Sequence, residues 1–456
     1  MTVGLESNGS LCDLTMNRFI SSKLAVLFII GCALLNSPAR ADTNFLAGAD
    51  FSLLKYFESL GAHYKAGGQV QDALQIIKNH GINCVRLRLF TSSNAQALAN
   101  PYNYINNLNY TVPLAVRVKN AGLLFCLDFH YSDTWADPGH QAIPNAWTNL
   151  DFTDLVQQMR SYNSNAIAAF AAAGAMPDYV QVGNEITGGM LWPFGKVNAY
   201  TSGGTQWNQL GQLMNAAVQG IEDATIATGS KMPRIIVHID RGGDWTTTMK
   251  FFDNLNAQQV PYDLIGESYY PFFQGDPANL SICLSNAAVR YGKPVLVAET
   301  AFPWNNSVTS WQNQLYGFVP TIDGQVGSIA KLAGIVKSVP NQLGAGVFYW
   351  GAEYQPGGGN SDYNNSSFWD YNGNVLPVVD AVGGMAAPLL ITAAFENPNF
   401  RLQWPFSGAA LNLMASTNLA SPIAWSSVTN SPETTGAVFT VTLPLANSSF
   451  YRLQSN

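Results

Sequence analysis

Apolar runs of strand length recur along this chain, and between them lie longer stretches whose apolar residues return at helical spacing. Strand candidates are residues 48–50, 83–90, 123–130, 179–184, 234–240, 264–269, 295–299 and 346–350. Helical stretches separate them, residues 69–79 and 163–173 being two examples. Gly81 after His80 stops the first and Gly174 stops the second, because glycine accepts the left-handed backbone that ends a helix. Alternating short strands and helices predict repeated βα units, hence a parallel sheet. Over residues 42–385 this is the length and rhythm of one α/β domain, a (β/α)8 TIM barrel.

The texture changes after Gly383-Gly384. Pro, Ser, Thr and Asn increase, and short alternating runs at 400–404 and 438–443 replace the helical pattern. Residues 386–456 therefore read as a small C-terminal all-β module of immunoglobulin-like or similar sandwich shape, near the lower size limit for independent stability. At the other end, Arg18 and Lys23 precede an apolar run from Leu24 to Leu35, and Ala39-Arg40-Ala41 supplies a small-x-small site. Residues 1–41 are expected to be a secretory signal peptide, with Met16 as the start of translation and the mature chain secreted. The alternative is lipoprotein processing at Ile29-Ile30-Gly31-Cys32, which would leave Cys32 lipid-modified; continuation of the apolar run past Cys32 favours cleavage after Ala41. No later stretch is long and uncharged enough to span a membrane, so no membrane association is expected after processing.

Composition narrows the partners. Charged residues make up only 11%, the net charge is -7, and aromatics reach 12%. Without a basic stripe to follow phosphates, nucleic acid is not an expected partner. Aromatic, amide and hydroxyl groups suit a neutral polysaccharide, bound by a monomer. Loss of Cys12 and Cys32 with the leader would leave Cys84, Cys126 and Cys283, an odd set that builds no disulfide framework. Cys84 and Cys126 sit in apolar runs and should behave as small buried hydrophobes.

The chemistry lies at two strand ends. Tyr179-Val180-Gln181-Val182-Gly183 stops at Asn184-Glu185, and Pro294-Val295-Leu296-Val297-Ala298 stops at Glu299. Barrel active sites gather at such ends, and glycosidic cleavage requires one carboxyl as proton donor and another as nucleophile or base. Alternation sends Val85, Leu87 and Leu89 toward the helices and Arg86 and Arg88 inward. Arg88 is the expected guardian of an ionised Glu299, with a core ion pair as the structural alternative for either arginine. Tyr269 is expected to donate its hydroxyl to Glu299, unless it is a packed core tyrosine.

The surroundings of both acids resemble glycoside hydrolase family 53, the endo-β-1,4-galactanases of clan A. The resemblance runs through Gly48-Ala49-Asp50, Gly81-Ile82-Asn83-Cys84-Val85-Arg86-Leu87-Arg88, and Asp128-Phe129-His130-Tyr131-Ser132-Asp133-Thr134-Trp135-Ala136-Asp137-Pro138. It continues through Asn184-Glu185-Ile186-Thr187-Gly188-Gly189, Ser268-Tyr269-Tyr270-Pro271 and Glu299-Thr300, in the family's order, over nearly all of residues 42–385. It implies a secreted enzyme that cuts β-1,4-galactan, the side chain of pectic arabinogalactan, by a retaining double displacement. Glu185 matches the acid/base and Glu299 the nucleophile, at an expected separation of about 5 to 5.5 Å. Asn184 is expected to bind the sugar 2-hydroxyl. Asp50, His130, Asp133, Trp135, Asp137, His238 and Asp240 are expected to hydrogen-bond sugar or support the glutamates. Trp135, Trp192, Trp304 and Trp350 are candidates to stack on galactose, or else core residues.

The family uses no catalytic metal, and the His and Asp spacing here matches no zinc motif, so no metal and no cofactor is expected. The loop 357–365 offers oxygen ligands for a structural calcium ion, but it follows no strict calcium spacing and reads first as a Gly/Asn turn-rich loop. Two departures stand out. Glu267 is an acid where the family carries a small or apolar residue; sharing Tyr269's face, it is expected near the site with no chemical step. Tyr349-Trp350-Gly351 has glycine where relatives often have glutamate, and Glu353 follows. The competing readings are another clan relative acting on β-mannan, cellulose or xylan, disfavoured by residues 128–139, and a non-catalytic carbohydrate-binding protein, disfavoured by the presence of both glutamates.

Overall fold

Eight parallel strands close on themselves in the computed structural model, each hydrogen-bonded to its neighbours in sequence, with the first joined to the last. They are β1 (Leu46–Asp50), β2 (Cys84–Leu89), β3 (Leu124–Phe129), β4 (Tyr179–Val182), β5 (Arg234–Ile239), β6 (Leu264–Ser268), β7 (Val295–Thr300) and β8 (Gly344–Tyr349). The structure describes residues 45–305, 315–355, 365–386 and 391–455, the last without 397, 406–410, 419, 421–422, 436–437 and 445–448. The segment expected to be a signal peptide, with Cys12 and Cys32, and the calcium-candidate loop up to residue 364 lie outside the described residues.

A helix follows every strand: Ala73–Asn79, Leu108–Asn120, Phe152–Ala172, Gly204–Thr228, Trp245–Ala257, Pro277–Tyr291, Ile322–Lys337 and Val378–Gly383. The sequence starts most of them explicitly. Side chains of Asp72, Asn107, Asp151, Asp244, Asp276 and Thr321 accept from first-turn backbone N–H groups that would otherwise be orphaned. The helix expected at 69–79 begins only at Ala73, because Gln69–Val70 pairs antiparallel with Lys65–Ala66 and Asp72 supplies the cap. The stretch 163–173 is the second half of the much longer helix Phe152–Ala172.

Two apolar layers hold the barrel. Outside, Val85, Leu87 and Leu89 of β2 join the continuous core between strands and helices. Inside, Leu46, Cys84, Cys126, Ile236, Leu264, Leu296 and Phe348 fill one end. Gly48 makes room for this filling, since a Cβ there would lie 2.3 Å from the Phe348 ring. Further along the same strands the inward positions become Asp50, Arg86, Arg88, Asp128, Gln181 and His238, all buried. The barrel is thus an apolar plug beneath a charged floor. Cys84, Cys126 and Cys283 are buried free thiols.

At the C-terminus, Thr392–Glu396, Asn399–Pro405, Val438–Pro444 and Glu433–Thr435 form one antiparallel sheet, and Ser426–Ser427, Leu411–Ser416 and Phe450–Ser455 another. Phe400, Leu402, Trp404, Val441 and Leu443 from the first share a buried cluster with Leu413 from the second.

Candidate active site

Both strand-end glutamates are delivered by irregular backbone. Gly183 (φ 85) breaks β4, and Glu185 itself adopts φ 51, a left-handed conformation unusual for a side-chain-bearing residue. Such strain costs about 1–3 kcal/mol and persists where the surroundings enforce it. On β7 the device is a bulge: Glu267 pairs with Val297 and Ser268 with Glu299, skipping Ala298. Ala298 faces the barrel interior, so strict alternation would turn Glu299 outward; the extra residue turns it back toward the site.

Arg86 is the hub of the floor. Its Nη1 lies 3.2 Å from Glu299 Oε2 and 3.3 Å from Asp50 Oδ2, and its Nη2 lies 2.8 Å from both Asp128 Oδ2 and Asn184 Oδ1. Burial opposes its charge, but Asp128, Glu299 and Asp50 more than offset that and hold the guanidinium above its ordinary value. Tyr270 donates its hydroxyl to Glu299 Oε1 at 2.8 Å. These contacts correct two expectations. Arg88 does not guard Glu299: it reaches Asp50 at 3.4 Å, while its guanidinium lies against the Trp135 ring at 4.2 Å. Tyr269 does not reach Glu299 either; it joins the strand–helix core and donates to the Gly275 carbonyl at 2.6 Å. Alternation past Ser268 puts Tyr269 on the helix side and Tyr270 on the site side.

The two acids sit in different fields. Burial, then the charges of Glu299 and Asp240, push Glu185 well above the carboxylate range. Burial also raises Glu299, but Arg86 and the Tyr270 hydroxyl pull against it. Burial and like charge thus dispose Glu185 to hold a proton, while Glu299, also raised on balance, has Arg86 and the Tyr270 hydroxyl to stabilise its ionised form, the division needed to protonate a leaving oxygen on one side and attack from the other. Both line a cleft of ≈ 530 Å³, with Asp137, Asp240, Arg241, Tyr270, Phe273 and Gln274 among its walls.

The remaining expected residues divide by contact. Asp137 and Asp240 reach the cleft, and Thr187 donates its hydroxyl to Asp240. Asn184 Oδ1 is engaged by Arg86, Gln181 and His238, and Nδ2 donates to the Ala136 carbonyl at 2.8 Å, leaving one Nδ2 hydrogen for a ligand. His130 accepts from the Ala136 N–H at Nδ1, so its ring hydrogen is on Nε2, 3.0 Å from Asp128. It anchors the loop carrying Asp137. Asp133 is a loop tie, accepting from Thr91, Gln96 and the Asn145 N–H. Trp135 and Trp350 pack edge to face at 6.2 Å beside Arg88. Trp192 lies under Lys196, and Trp304 packs on Tyr371 at 4.8 Å.

Glu267 stands away from the cleft, a third correction: it is buried on the helix side, accepting from Thr248 Oγ1 and the Arg241 N–H. Burial pushes its carboxyl well up. Sequence reasoning gave no role to Asp128, Gln181, Ser268 or Tyr270. The inward phase of alternation that exposed Arg86 also selects Asp128 on β3 and Gln181 on β4. Among the described residues no group of three or more His, Cys, Asp or Glu is arranged to hold a metal ion.

Comparison with known proteins agrees with this geometry. Residues 46–382 match the model of Glycosyl hydrolase family 53. A probable arabinogalactan endo-beta-1,4-galactanase A of Neosartorya fischeri is 35% identical over 337 residues, covering 72% of this chain and 88% of the relative. The arabinogalactan endo-beta-1,4-galactanase of Humicola insolens is 35% identical over 317 residues, covering 66% of this chain and 88% of the relative. Among solved structures, the Ignisphaera aggregans GH53 catalytic domain aligns at TM-score 0.67 and 29% identity, over 79% of this chain and 99% of its own. With a barrel of this topology, two carboxyls at its strand ends and a family match over most of its length, the chain belongs to glycosyl hydrolase family 53.

Proposed function

We propose that the protein is an endo-β-1,4-galactanase that hydrolyses β-1,4-galactan of the arabinogalactan type by retaining double displacement. The observation that carries the mechanism is the unequal setting of two carboxyls on one cleft, Glu185 buried near the like charges of Glu299 and Asp240, and Glu299 bonded to Arg86 and Tyr270. Glu299 attacks the anomeric carbon while Glu185 protonates the departing glycosidic oxygen, giving a glycosyl-enzyme ester. Glu185, now a carboxylate, takes a proton from water, whose oxygen displaces Glu299. Asn184 offers its remaining amide hydrogen to the sugar 2-hydroxyl, a bond that strengthens as positive charge develops on the ring. The relatives' names support the choice of galactan over other β-glycans.

The test is reducing-end release and product size from linear β-1,4-galactan, beside β-mannan, carboxymethyl cellulose and xylan. Oligosaccharides from galactan alone, with β-anomers as first products by NMR, support the proposal. Activity only on another glycan refutes the substrate, and α-anomers refute retention. We also propose that the chain is exported and processed after Ala41, on the N-terminal charge and hydropathy pattern; the mature protein should then begin at Asp42, and an intact leader on protein recovered from the medium would refute this.

A further inference from the structure

Ser268 Oγ lies 2.6 Å from Glu185 Oε1 and 2.8 Å from His238 Nε2, and a hydroxyl has a single hydrogen to give. The far end of this chain of contacts decides which neighbour receives it. Asn184 Oδ1 meets Arg86 Nη2, an obligate donor, and Asn184 Nδ2 meets a backbone carbonyl, so the amide has one orientation. His238 Nδ1, 3.0 Å from Asn184 Oδ1, must therefore carry a hydrogen. Burial and the nearby Arg86 charge hold the imidazole well below its ordinary value, so it is neutral and Nε2 is bare. That bare nitrogen takes the Ser268 hydrogen. With its hydrogen on His238, Ser268 Oγ meets a protonated Glu185 as acceptor; with the hydrogen turned the other way it donates to Glu185 Oε1 as carboxylate, and the 2.6 Å contact suits either.

We infer that Ser268 and His238 are positioning residues that form a hydrogen-bond relay to Glu185, accepting from its carboxyl while it is the acid and turning to donate once its proton has left. The inference rests on the proposed acid role of Glu185. When Glu185 gives its proton to the glycosidic oxygen, the Ser268 O–H rotates from His238 Nε2 to the new carboxylate. One hydrogen now serves two buried acceptors, and Nε2 goes unpaired. That penalty is relieved when Glu185 recovers a proton from the attacking water and the hydroxyl swings back. No covalent bond to Ser268 or His238 changes. The relay thus favours the acid form, whereas a serine acting only as donor would favour the carboxylate. Glu299, Asp240 and Asp137 face Glu185 as well, and Arg86, Asp128 and His130 surround His238; none of them bridges the two.

His238→Leu separates these cases, because it keeps an apolar group of similar bulk and removes the acceptor. Ser268 is then free to donate to the carboxylate, and the basic limb of kcat/KM against pH on β-1,4-galactan should move down by about one unit. In a Ser268→Ala background the same substitution should move nothing. A limb that stays in place, moves up, or shifts equally in both backgrounds overturns the relay. Wild-type protein inactive on galactan would instead sink the proposed function. Infrared difference spectra of wild type against Glu185→Gln need no His238 or Ser268 variant to fold and no substrate. They should show a protonated, hydrogen-donating carboxyl at neutral pH, and its absence overturns the relay by itself.

Discussion

Tyr270→Phe removes one oxygen and isolates one term in the field around Glu299. The Tyr270 hydroxyl donates to Oε1 at 2.8 Å, while Arg86 at 3.2 Å from Oε2 is untouched by the change. A hydrogen bond to a charged acceptor contributes about 1.5–3 kcal/mol and one to a neutral acceptor about 0.5–1.5, so the bond favours the ionised form by about 1–1.5 kcal/mol. At 1.36 kcal/mol per unit, losing it should raise the proton affinity of Glu299 by about one pH unit. The sign is fixed: the ionised nucleophile becomes harder to form, so activity is lost on the acid side. The ring still packs against Phe272 and Phe273 at 5.5 and 5.9 Å, which keeps the local fold. The assay is kcat/KM against pH on linear β-1,4-galactan, whose acid limb reports the free enzyme, with a thermal melt as control. The acid limb should move up by about one unit, with a roughly tenfold loss one unit below the wild-type limb. A uniform drop at all pH values, with the limb unmoved, would refute the reasoning and reduce Tyr270 to a packing residue.

Glu185→Ala should lower kcat on galactan by about 10²–10⁴-fold but spare an aryl galactoside with a strongly acidic leaving group, which needs no proton; equal losses on both substrates would remove the acid role. Arg88→Ala should destabilise the fold by about 3–5 kcal/mol, read by urea unfolding, because it strips Asp50 of one buried cation and Trp135 of its stacked partner. A loss below about 1 kcal/mol would show that Arg86 alone satisfies Asp50. Glu353 is pushed by burial, aided by Asp50, to about 8, above the 4.5 of an unfolded glutamate. The folded state then holds a proton that the unfolded state releases, so this group's contribution is greatest below about 4.5 and is lost as pH rises to about 8. Glu353→Gln keeps an oxygen for the Leu53 N–H and should raise Tm relative to wild type more at pH 8 than at pH 5; an equal change at both would contradict the raised value.

The strand and helix alternation, and with it the barrel, was legible because it rests on local facts. Period-two burial on β2 sends Val85 and Leu87 outward and Arg86 inward whatever the rest of the chain does. Caps such as Asp72 and Asp151 are equally local. The two glutamates were legible for a different reason, since each closes an apolar run within a specific motif. The choice between neighbours was not. Arg86 and Arg88 point the same way from one strand, and only the depth of each in the closed barrel, set by pairing to β1 and β3, brings Arg86 to Glu299 and Arg88 to Trp135. Tyr269 and Tyr270 differ by one residue and so by one face.

The sequence by itself therefore determined the number and order of the barrel strands, the inward and outward faces of β2, the end that carries charge, and the two candidate carboxyls. Tertiary structure alone decided which groups meet. The skipped Ala298 turns Glu299 inward against simple alternation, and the left-handed Glu185 directs its carboxyl to Ser268. Ser268 in turn reaches His238 on the neighbouring strand. Such contacts join residues 30 to 213 positions apart, at distances fixed to tenths of an ångström by barrel closure. Hydrophobic periodicity specifies which face of an element is buried, but hydrogen bonds and ion pairs depend on separation in space, which exists only once the strands have closed.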